Sequence, residues 1–498
     1  MNQELRAYLE RAQALKAATT LFEWDNETLA PEEAGELTSR IIGSLSGEYF
    51  RILTDPQMER LAEECGQEEL SREEAAQVQE LKEELSRLRP IPRREYEENA
   101  RLVARAGALW ARAREQEDFD SFAPVLKEVI GWQKRFAAYR AGKGQRLYDV
   151  MLESYEKGFN MESLDRFFDL LKKELVPFLE TAAKKGRQAE DGFLTGDYPR
   201  EAQESLARFM AEYVGFDFRR GVLGVSAHPF TTSLHNRDVR LTTHYSRRVD
   251  SSLFSVIHEA GHGIYEQGIG DGLTMTLAGQ GASMGMHESQ SRFFENIIGR
   301  SPAFWEPIYG RVQAMFPEAL GAVSLERFVQ AINRVRPGLI RTEADELSYS
   351  LHIMIRYELE KGLIEDGMAV EELPEAWAGL YEAYLGVRPQ SPSQGVLQDI
   401  HWSQGSFGYF PSYALGSAMA AQIYFFMGKQ MDFDGLLRQG RLWEIRDFLR
   451  ERIHRYGRMK TSREILRDVT GEDFNPAYYI RYLKEKYEAL WDENERNG

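Results

Sequence analysis

Residues 253–264 read LFSVIHEAGHGI, and this stretch decides both the local fold and where chemistry is expected. Its apolar side chains recur at intervals of three and four residues, which predicts an amphipathic α-helix. His258 and His262 are four residues apart on that helix, so both imidazoles project from one face and can bind the same metal ion. Glu259 lies one residue further round, where it would hold a metal-bound water as a general base rather than bind the metal.

The spacing is that of the H-E-x-x-H motif of metallopeptidases, which combines two metal ligands with a general base. With nine histidines in 498 residues, chance would produce the pattern about 0.02 times in this chain. The structural alternative, in which both histidines only make polar contacts on a buried helix, is therefore weak.

A catalytic zinc site needs a third protein ligand beside two histidines. Residues 287–296 read HESQSRFFEN and predict a second amphipathic helix. Glu288 and His287 are rival ligands at its start; periodicity does not separate them, and Glu288 is preferred as a carboxylate that opens a buried helix. The helix dipole would also stabilise such a carboxylate without any metal.

The placement of histidine indicates one functional region. None of the nine histidines lies in the first 227 residues, and eight lie between residues 228 and 401. The nine positions are His228, His235, His244, His258, His262, His287, His352, His401 and His454.

Composition excludes several classes of protein. The chain has 62 basic and 79 acidic residues and a net charge of −17, which argues against nucleic acid or an anionic membrane as its partner. Its single cysteine, Cys65, excludes a disulfide framework and a Cys-rich metal site. The N-terminus has no signal-peptide pattern, and the longest apolar stretch, residues 415–428, is shorter than the ~20 residues of a spanning helix. We therefore predict a soluble, cytoplasmic protein.

The residue patterns predict a mainly α protein. Long amphipathic helices are expected over the first ~220 residues, and helices return after about Pro317. Near Gly221 short alternating runs appear, notably at 238–243, which predict a small β-sheet. No flexible linker marks a boundary, so residues 1–498 are predicted to form a single catalytic domain with a helical N-terminal part (about 1–220) and a catalytic part (about 221–498).

A competing motif lies between the two predicted helices. Residues 281–285 read GASMG and match G-x-S-x-G, the nucleophile elbow of serine hydrolases. That motif requires a strand–turn–helix setting within alternating strands and helices, and this chain shows little such alternation. We therefore interpret these glycines as a flexible loop before the second ligand helix.

The sequence resembles the carboxypeptidase Taq family of metallocarboxypeptidases over nearly its whole length. The segments are individually weak apart from H-E-x-x-H, and they become specific through their shared order and spacing. They are Leu21-Phe22-Glu23-Trp24-Asp25 with Thr28 and Pro31, His228-Pro229-Phe230, Asp238-Val239-Arg240-Leu241-Thr242, His258-Glu259-Ala260-Gly261-His262, His287-Glu288-Ser289, Ile340-Arg341-Thr342-Glu343-Ala344-Asp345 and Gly395-Val396-Leu397-Gln398-Asp399-Ile400-His401-Trp402.

This resemblance implies that His258, His262 and Glu288 bind one Zn²⁺ per chain, with Co²⁺ as a possible substitute. It implies a two-lobed helical saddle around a deep groove, similar to neurolysin and angiotensin-converting enzyme, and a homodimer. The implied activity is release of single C-terminal residues from peptides, with broad specificity that disfavours proline and acidic residues.

Further site residues follow from the chemistry that such an enzyme needs. Likeness to the wider angiotensin-converting-enzyme group makes His401 and Tyr409 candidates for stabilising the oxyanion, although both would also suit an aromatic core. The terminal carboxylate needs a bidentate arginine. The substrate-binding candidates are Arg341, Arg356 and Arg240, each equally suited to an interhelical salt bridge, and His228 through its motif. As a weaker expectation, residues 238–243 pair edge-on with the substrate backbone.

Two other functions remain open at this point. A metallo-oligopeptidase or dipeptidase would have the same zinc site, because H-E-x-x-H does not distinguish exopeptidases from endopeptidases. A non-catalytic metal-binding interaction protein is the second alternative. Glu259 argues against it, since a site that only binds metal has no need of a general base.

Overall fold

The computed structural model describes residues 1–66, 69–186 and 190–497, with the side chains at 32, 186 and 492–497 left out. The predicted fold class is confirmed, because the chain is mainly helical and contains one small β-sheet. Among the described residues, none of the helices is both long enough and apolar enough to span a bilayer.

The helices that precede the sheet begin near the N-terminus. They are α1 (Gln3–Thr28), α2 (Gly35–Leu53), α3 (Pro56–Cys65), α4 (Arg72–Leu88), α5 (Arg93–Glu115), α6 (Phe119–Arg140), α7 (Leu147–Glu153), α8 (Met161–Gly186) and α9 (Arg200–Val214). The predicted amphipathic character holds here, since the buried positions of α4 include Val78, Leu81 and Leu85 on one face.

The strands and the later helices follow. They are β1 (Gly221–Val225), β2 (Thr231–His235), β3 (Asp238–Thr243), α10 (Val249–Gly268), α11 (Met284–Arg292), α12 (Pro302–Trp305), α13 (Tyr309–Met315), α14 (Pro317–Leu320), α15 (Leu325–Ile332), α16 (Glu346–Ile364), α17 (Leu373–Leu385), α18 (Pro411–Met427), α19 (Phe433–Arg438), α20 (Leu442–Arg452), α21 (Ser462–Thr470) and α22 (Ala477–Asn497). A π-helical turn, Phe293–Ile298, continues α11.

The chain divides into two compact units, and each unit is assembled from three separate segments. The first unit comprises Met1–Leu88, Glu190–Ile332 and Ile423–Phe474. The second unit comprises Arg89–Ala189, Asn333–Gln422 and Asn475–Gly498. The saddle and groove implied by the resemblance stay a prediction, as does the single catalytic domain.

Helix α10 lies at the centre of the first unit, packed against α9, α11, β2 and β3. Two glycines of the quoted stretch allow that packing. A β-carbon at Gly261 would lie 2.7 Å from the Cα of Ser291, and one at Gly263 would lie 2.7 Å from the ring of Phe216. The absence of a side chain at Gly261 lets α11 approach α10 closely enough for residues on both helices to share one site. Its absence at Gly263 lets Phe216 and the β3 residue Leu241 pack against α10.

The sheet has the strand order β1-β3-β2, with β1 parallel and β2 antiparallel to β3. The alternation predicted for 238–243 holds over 238–241, where Val239 and Leu241 are fully buried. It ends there because Thr242 and Thr243 are both buried. However, β3 is the central strand and both of its edges are already paired. The expectation that this segment pairs edge-on with a substrate is therefore wrong, because its backbone hydrogen bonds are made within the sheet.

In the second unit, α16 is the most enclosed helix and packs against α17, α8 and α6. Aromatic rings surround it: Tyr357 stacks on Phe168 with ring centroids 4.8 Å apart. Two charged side chains on this helix, Arg356 and Glu360, are fully buried. Since charge in such an interior must be paired or hydrogen-bonded, α16 organises the polar network described below.

Candidate metal centre and active site

The three predicted metal ligands come together in the first unit. Nε2 of His258 lies 3.7 Å and Nε2 of His262 lies 3.4 Å from Oε2 of Glu288. Zinc held tetrahedrally at about 2.0–2.1 Å would separate its ligand atoms by about 3.3–3.4 Å. The donor set and its spacing therefore fit one divalent metal ion, and the three side chains form the candidate metal cluster of the described residues.

Glu288 is placed by helix α11 and held there by an arginine. The hydroxyl of Ser283 caps that helix by accepting a hydrogen bond from the backbone N–H of Met286. Arg292, one turn after Glu288, donates from Nε to Oε1 at 2.7 Å, while Oε2, which faces the two histidines, also lies 3.2 Å from the Ser291 hydroxyl. Burial alone would raise the pKa of this carboxyl, but Arg292 and the two histidines hold it well below its usual range. Glu288 is therefore ionised, as a metal ligand must be.

The outer ring nitrogens of the two histidines have different partners. Nδ1 of His258 lies 2.8 Å from Oε2 of Glu295. Nδ1 of His262 lies 2.6 Å from Nδ1 of His287, whose Nε2 lies 2.8 Å from Oε1 of Glu266. His287 thus lies behind His262, outside the cluster. Such partners fix the tautomer and orientation of a ligand imidazole.

Sequence reasoning did not identify Glu266 or Glu295 as site residues. Glu295 lies seven residues after Glu288, two turns along the same helical segment, so helical spacing could have suggested it. Glu266 likewise lies one turn after His262 on α10. Both carboxylates are buried, and each reaches an imidazole only because α10 and α11 pack together.

Glu259 is buried beside the cluster and contacts the edge strand β2. The Thr231 hydroxyl lies 2.6 Å from its Oε2 and 3.0 Å from its carbonyl oxygen, and can donate to either. Burial raises the pKa of the Glu259 carboxyl, against the lowering effects of His258 and Thr231. A raised pKa brings a carboxylate closer to the range of an effective general base.

The serine-hydrolase motif has a structural explanation. Ser283 is the N-cap of α11, and residues 281–283 follow a helical turn and loop rather than a strand. Its hydroxyl accepts a backbone hydrogen bond at 3.0 Å, which is the usual task of a capping serine. The arrangement lacks the strand–turn–helix setting of a nucleophile elbow.

Two of the arginine candidates meet one carboxylate in the second unit. Asp399 accepts hydrogen bonds from Nε of Arg341 at 2.9 Å and from Nε of Arg356 at 2.7 Å. Arg356 is fully buried, and its other donors bond the His352 carbonyl, the Tyr381 hydroxyl, Gln398 and Asp399 again. Every N–H of Arg356 therefore has a partner within the unit.

Arg341 is 7% exposed and is less completely engaged. Its Nη1 bonds the Tyr349 hydroxyl at 3.3 Å and its Nη2 bonds Asp399 at 2.9 Å, so two of its five N–H groups have no partner among the residues described. Its guanidinium carbon also lies 5.1 Å from the ring centroid of Tyr413. A planar guanidinium with unused N–H groups can donate hydrogen bonds to a further carboxylate.

The two substrate-binding candidates in the first unit differ in how they are held. Arg240, on β3, makes a bidentate ion pair with Asp238, both bonds being 2.9 Å. Its guanidinium carbon lies 4.9 Å from the ring centroid of Trp24. This contact gives the tryptophan of the 21–25 segment a structural role. His228 lies exposed in the loop between β1 and β2, and its carbonyl accepts a hydrogen bond from Ser226.

His401 and Tyr409 are neighbours in the second unit, with ring centroids 5.5 Å apart. Nε2 of His401 lies 3.3 Å from the hydroxyl of Tyr413, while its buried Nδ1 has no hydrogen-bond partner in the described part of the chain. Burial, with Arg341 next in importance, lowers the pKa of His401 to about 4, so the ring is neutral at pH 7.

Comparisons with known proteins identify the family. The profile of carboxypeptidase Taq (M32) metallopeptidases matches residues 4–487. Carboxypeptidase 1 of Bacillus subtilis (strain 168) is 40% identical over 487 residues, which cover 97% of this chain and 97% of that protein. Thermostable carboxypeptidase 1 of Thermus thermophilus is 37% identical over 502 residues, covering 97% and 96%. The M32 carboxypeptidase structure from Deinococcus radiodurans R1 matches with a TM-score of 0.95 at 32% identity, covering 98% of this chain and 99% of that one.

A helical fold that brings two histidines and a glutamate together as a candidate metal site, with a further buried glutamate beside it, is typical of metallopeptidases. The chain belongs to the carboxypeptidase Taq (M32) family. It is a metal-dependent carboxypeptidase that hydrolyses peptides. The predicted family and enzyme class are confirmed, and the oligopeptidase and non-catalytic alternatives are not favoured.

Proposed function

We propose that the chain removes single C-terminal residues from peptides at a zinc ion held by His258, His262 and Glu288. The observation that carries the proposal is the convergence of these three ligand atoms beside the buried carboxyl of Glu259. When bound, the metal would polarise the scissile carbonyl and lower the pKa of a water molecule. The remaining steps belong to the protein's own side chains.

Glu259 is the general base of this proposal. Its carboxylate accepts a proton from the attacking water and passes that proton to the amine that leaves. The Thr231 hydroxyl orients the carboxylate, and burial raises its pKa towards the range of an effective base. These two features support an acid–base role, because they hold the carboxylate beside the candidate metal site with a raised pKa.

Recognition of the substrate's terminal carboxylate is assigned to Arg341. Its two spare N–H groups support this assignment. Arg356 acts through Asp399, which it shares with Arg341. Arg240 and His228 are proposed as further substrate-binding residues of the first unit.

His401 and Tyr409 are proposed to stabilise the oxyanion of the tetrahedral intermediate. A neutral imidazole can donate from one nitrogen, and the buried Nδ1 of His401 has no protein partner within the described residues. A buried polar atom without a partner is costly unless a ligand satisfies it. The Tyr409 hydroxyl would be the second donor.

The test of this function pairs Glu259→Gln with peptides that have free or amidated C-termini. Wild type should hydrolyse only the free form. Glu259→Gln should keep its metal by elemental analysis and lose about 10²–10⁴-fold in kcat, because it lacks the base. Rapid cleavage of amidated peptides would reject the carboxypeptidase mechanism, and full activity of Glu259→Gln would reject the assignment of the base.

The remaining features of the proposal concern the whole protein. We propose that residues 1–498 work as one catalytic domain in a cytoplasmic homodimer, with Co²⁺ able to replace Zn²⁺. Specificity is proposed to be broad and to disfavour proline and acidic C-terminal residues. Light scattering of the purified protein, metal analysis and ladder mass spectrometry of digested peptides test these points in turn.

A further inference from the structure

One buried carboxylate holds both ends of the loop between His401 and Tyr409. Glu360, on α16, is fully buried. Its Oε1 accepts a hydrogen bond from Nε1 of Trp402 at 2.8 Å, and its Oε2 accepts one from the backbone N–H of Gly408 at 2.8 Å. Trp402 directly follows His401, and Gly408 directly precedes Tyr409. The segment 402–408 is therefore closed by the two oxygens of a single side chain.

The ends of this loop have little freedom to move. Gly408 has φ +88°, and a β-carbon there would lie 2.9 Å from the backbone carbon of Met151, so only glycine fits. Trp402 is buried and packs edge-on against Trp377, with ring centroids 5.9 Å apart. Packing restrains both residues, and backbone hydrogen bonds such as that from Ser406 to the His401 carbonyl restrain the segment between them. The Glu360 carboxylate is the side chain that bonds both ends.

The chemistry of these donors requires an acceptor on each of the two side-chain oxygens. An indole N–H and a backbone N–H only donate, so each needs an acceptor. The Tyr148 hydroxyl is a third donor, at 2.7 Å from Oε2 of Glu360. An amide offers one acceptor oxygen, and its NH₂ group would face either Trp402 or Gly408 as a second donor. Replacing Glu360 by glutamine therefore keeps the volume and breaks one of the two loop contacts.

We infer that Glu360 is a positioning residue for the reaction: it fixes the 402–408 loop so that His401 and Tyr409 present their donors to the substrate. This inference rests on the oxyanion role proposed above for those two residues. Glu360 itself touches neither substrate nor metal ligand in this assignment, and it acts only through the loop.

The decisive variant is Glu360→Gln. We expect kcat to fall by about 10–100-fold, since a misplacement of the order of 1 Å can cost that much. KM should stay within about twofold and metal content unchanged, because the metal ligands lie in the other unit. Hydrogen exchange of the backbone amides at 400–410 should accelerate.

Two control variants and one parallel variant separate the loop from its surroundings. Glu358→Gln changes the same residue type on α16, where the carboxylate bonds Tyr384 instead, and should leave kcat unchanged. Tyr148→Phe removes a donor to Glu360 that does not belong to the loop, and should cost less than about threefold in kcat. Trp402→Phe removes the indole donor of one loop contact while Glu360 itself is unchanged, and it should reduce kcat as Glu360→Gln does.

The pH dependence of stability gives a second readout. Burial raises the pKa of Glu360 to about 7, against its three hydrogen bonds and the charge of Arg356; Tyr148 and Tyr155 are the titratable groups near it. The native state then holds the proton more tightly than the unfolded chain. This group's contribution to stability therefore falls as pH rises from 4.5 to about 7. The unfolding midpoint of wild type should fall relative to that of Glu360→Gln as pH rises across that range.

The outcomes are separable from those of the proposed function. Unchanged kcat in Glu360→Gln, beside a large loss in His401→Gln or Tyr409→Phe, would overturn the positioning role and leave the oxyanion role intact. Full activity of both His401→Gln and Tyr409→Phe would overturn the oxyanion role and the inference with it. Slower catalysis in Glu360→Gln with unaltered amide exchange at 400–410 would also overturn the inference, because the loop would not have moved.

Discussion

The two units each contain a buried charged cluster, and the clusters are arranged in opposite ways. In the first unit, His258, His262 and Glu288 turn one ligand atom each towards a common point, while other residues hold their outer atoms. In the second unit, Arg341 and Arg356 turn towards Asp399, which pairs with both. The first cluster thus turns its ligand atoms towards a common point, whereas the second neutralises its charges internally and, among the residues described, leaves only two N–H groups of Arg341 unused.

The largest test of this contrast is Asp399→Asn. Removing the charge would leave two buried guanidiniums without a counter-ion, and breaking a buried ion pair in this way costs about 3–5 kcal/mol. We expect the urea midpoint to fall accordingly, with metal content unchanged. Glu375→Gln is the matched control, because it breaks an ion pair with Arg388 in the same unit. The Glu375 side chain is 81% exposed, so this loss should lower the free energy of unfolding by less than about 1 kcal/mol. Equal stability of the two variants would contradict the contrast.

A smaller effect is expected from Gly261→Ala, which acts on the packing behind the metal cluster. The added methyl would lie 2.7 Å from the Cα of Ser291, so α11 must shift and carry Glu288 with it. Overpacking of this kind costs about 1–3 kcal/mol, and metal affinity should fall as well. Gly43→Ala on α2 is the control, since nothing lies within 4 Å of its added carbon. If Gly261→Ala binds metal normally, close helix approach does not set the cluster.

The smallest effect is expected from Glu266→Gln. Glu266 contacts His287, which in turn contacts His262, so the change reaches the candidate ligand only through another side chain. The amide oxygen can still accept a hydrogen bond from His287, but the charge that supports the imidazole pair is lost. Metal affinity should weaken by about tenfold, which is the low end of the range of about 10–100-fold typical of losing a hydrogen-bond partner of a metal ligand. Competition with a chelator measures it, and Glu306→Gln on a surface ion pair should change nothing. An unaltered affinity would show that His287 acts without Glu266.

The sequence predicted the parts of the site that depend on local spacing. His258 and His262 lie four residues apart on one helix, so their common face follows from helix geometry alone. The choice between Glu288 and His287 depends on which neighbour faces α10, and that is set by the angle at which α11 packs. Spacing within α11 carries no information about that angle, so the preference for Glu288 rested on its being a carboxylate at the start of a buried helix and was strengthened by the family resemblance. In the structure Glu288 lies beside both histidines and His287 contacts the outer nitrogen of His262.

The sequence alone determined the fold class, the position of the small sheet and the H-E-x-x-H motif, because each depends on short-range patterns of residues. Only the tertiary structure decided that His287 lies behind His262, that β3 is a central strand and that Glu360 closes the 402–408 loop. These contacts join residues far apart in the chain. Their formation depends on how whole helices pack, and single-residue patterns do not encode that packing.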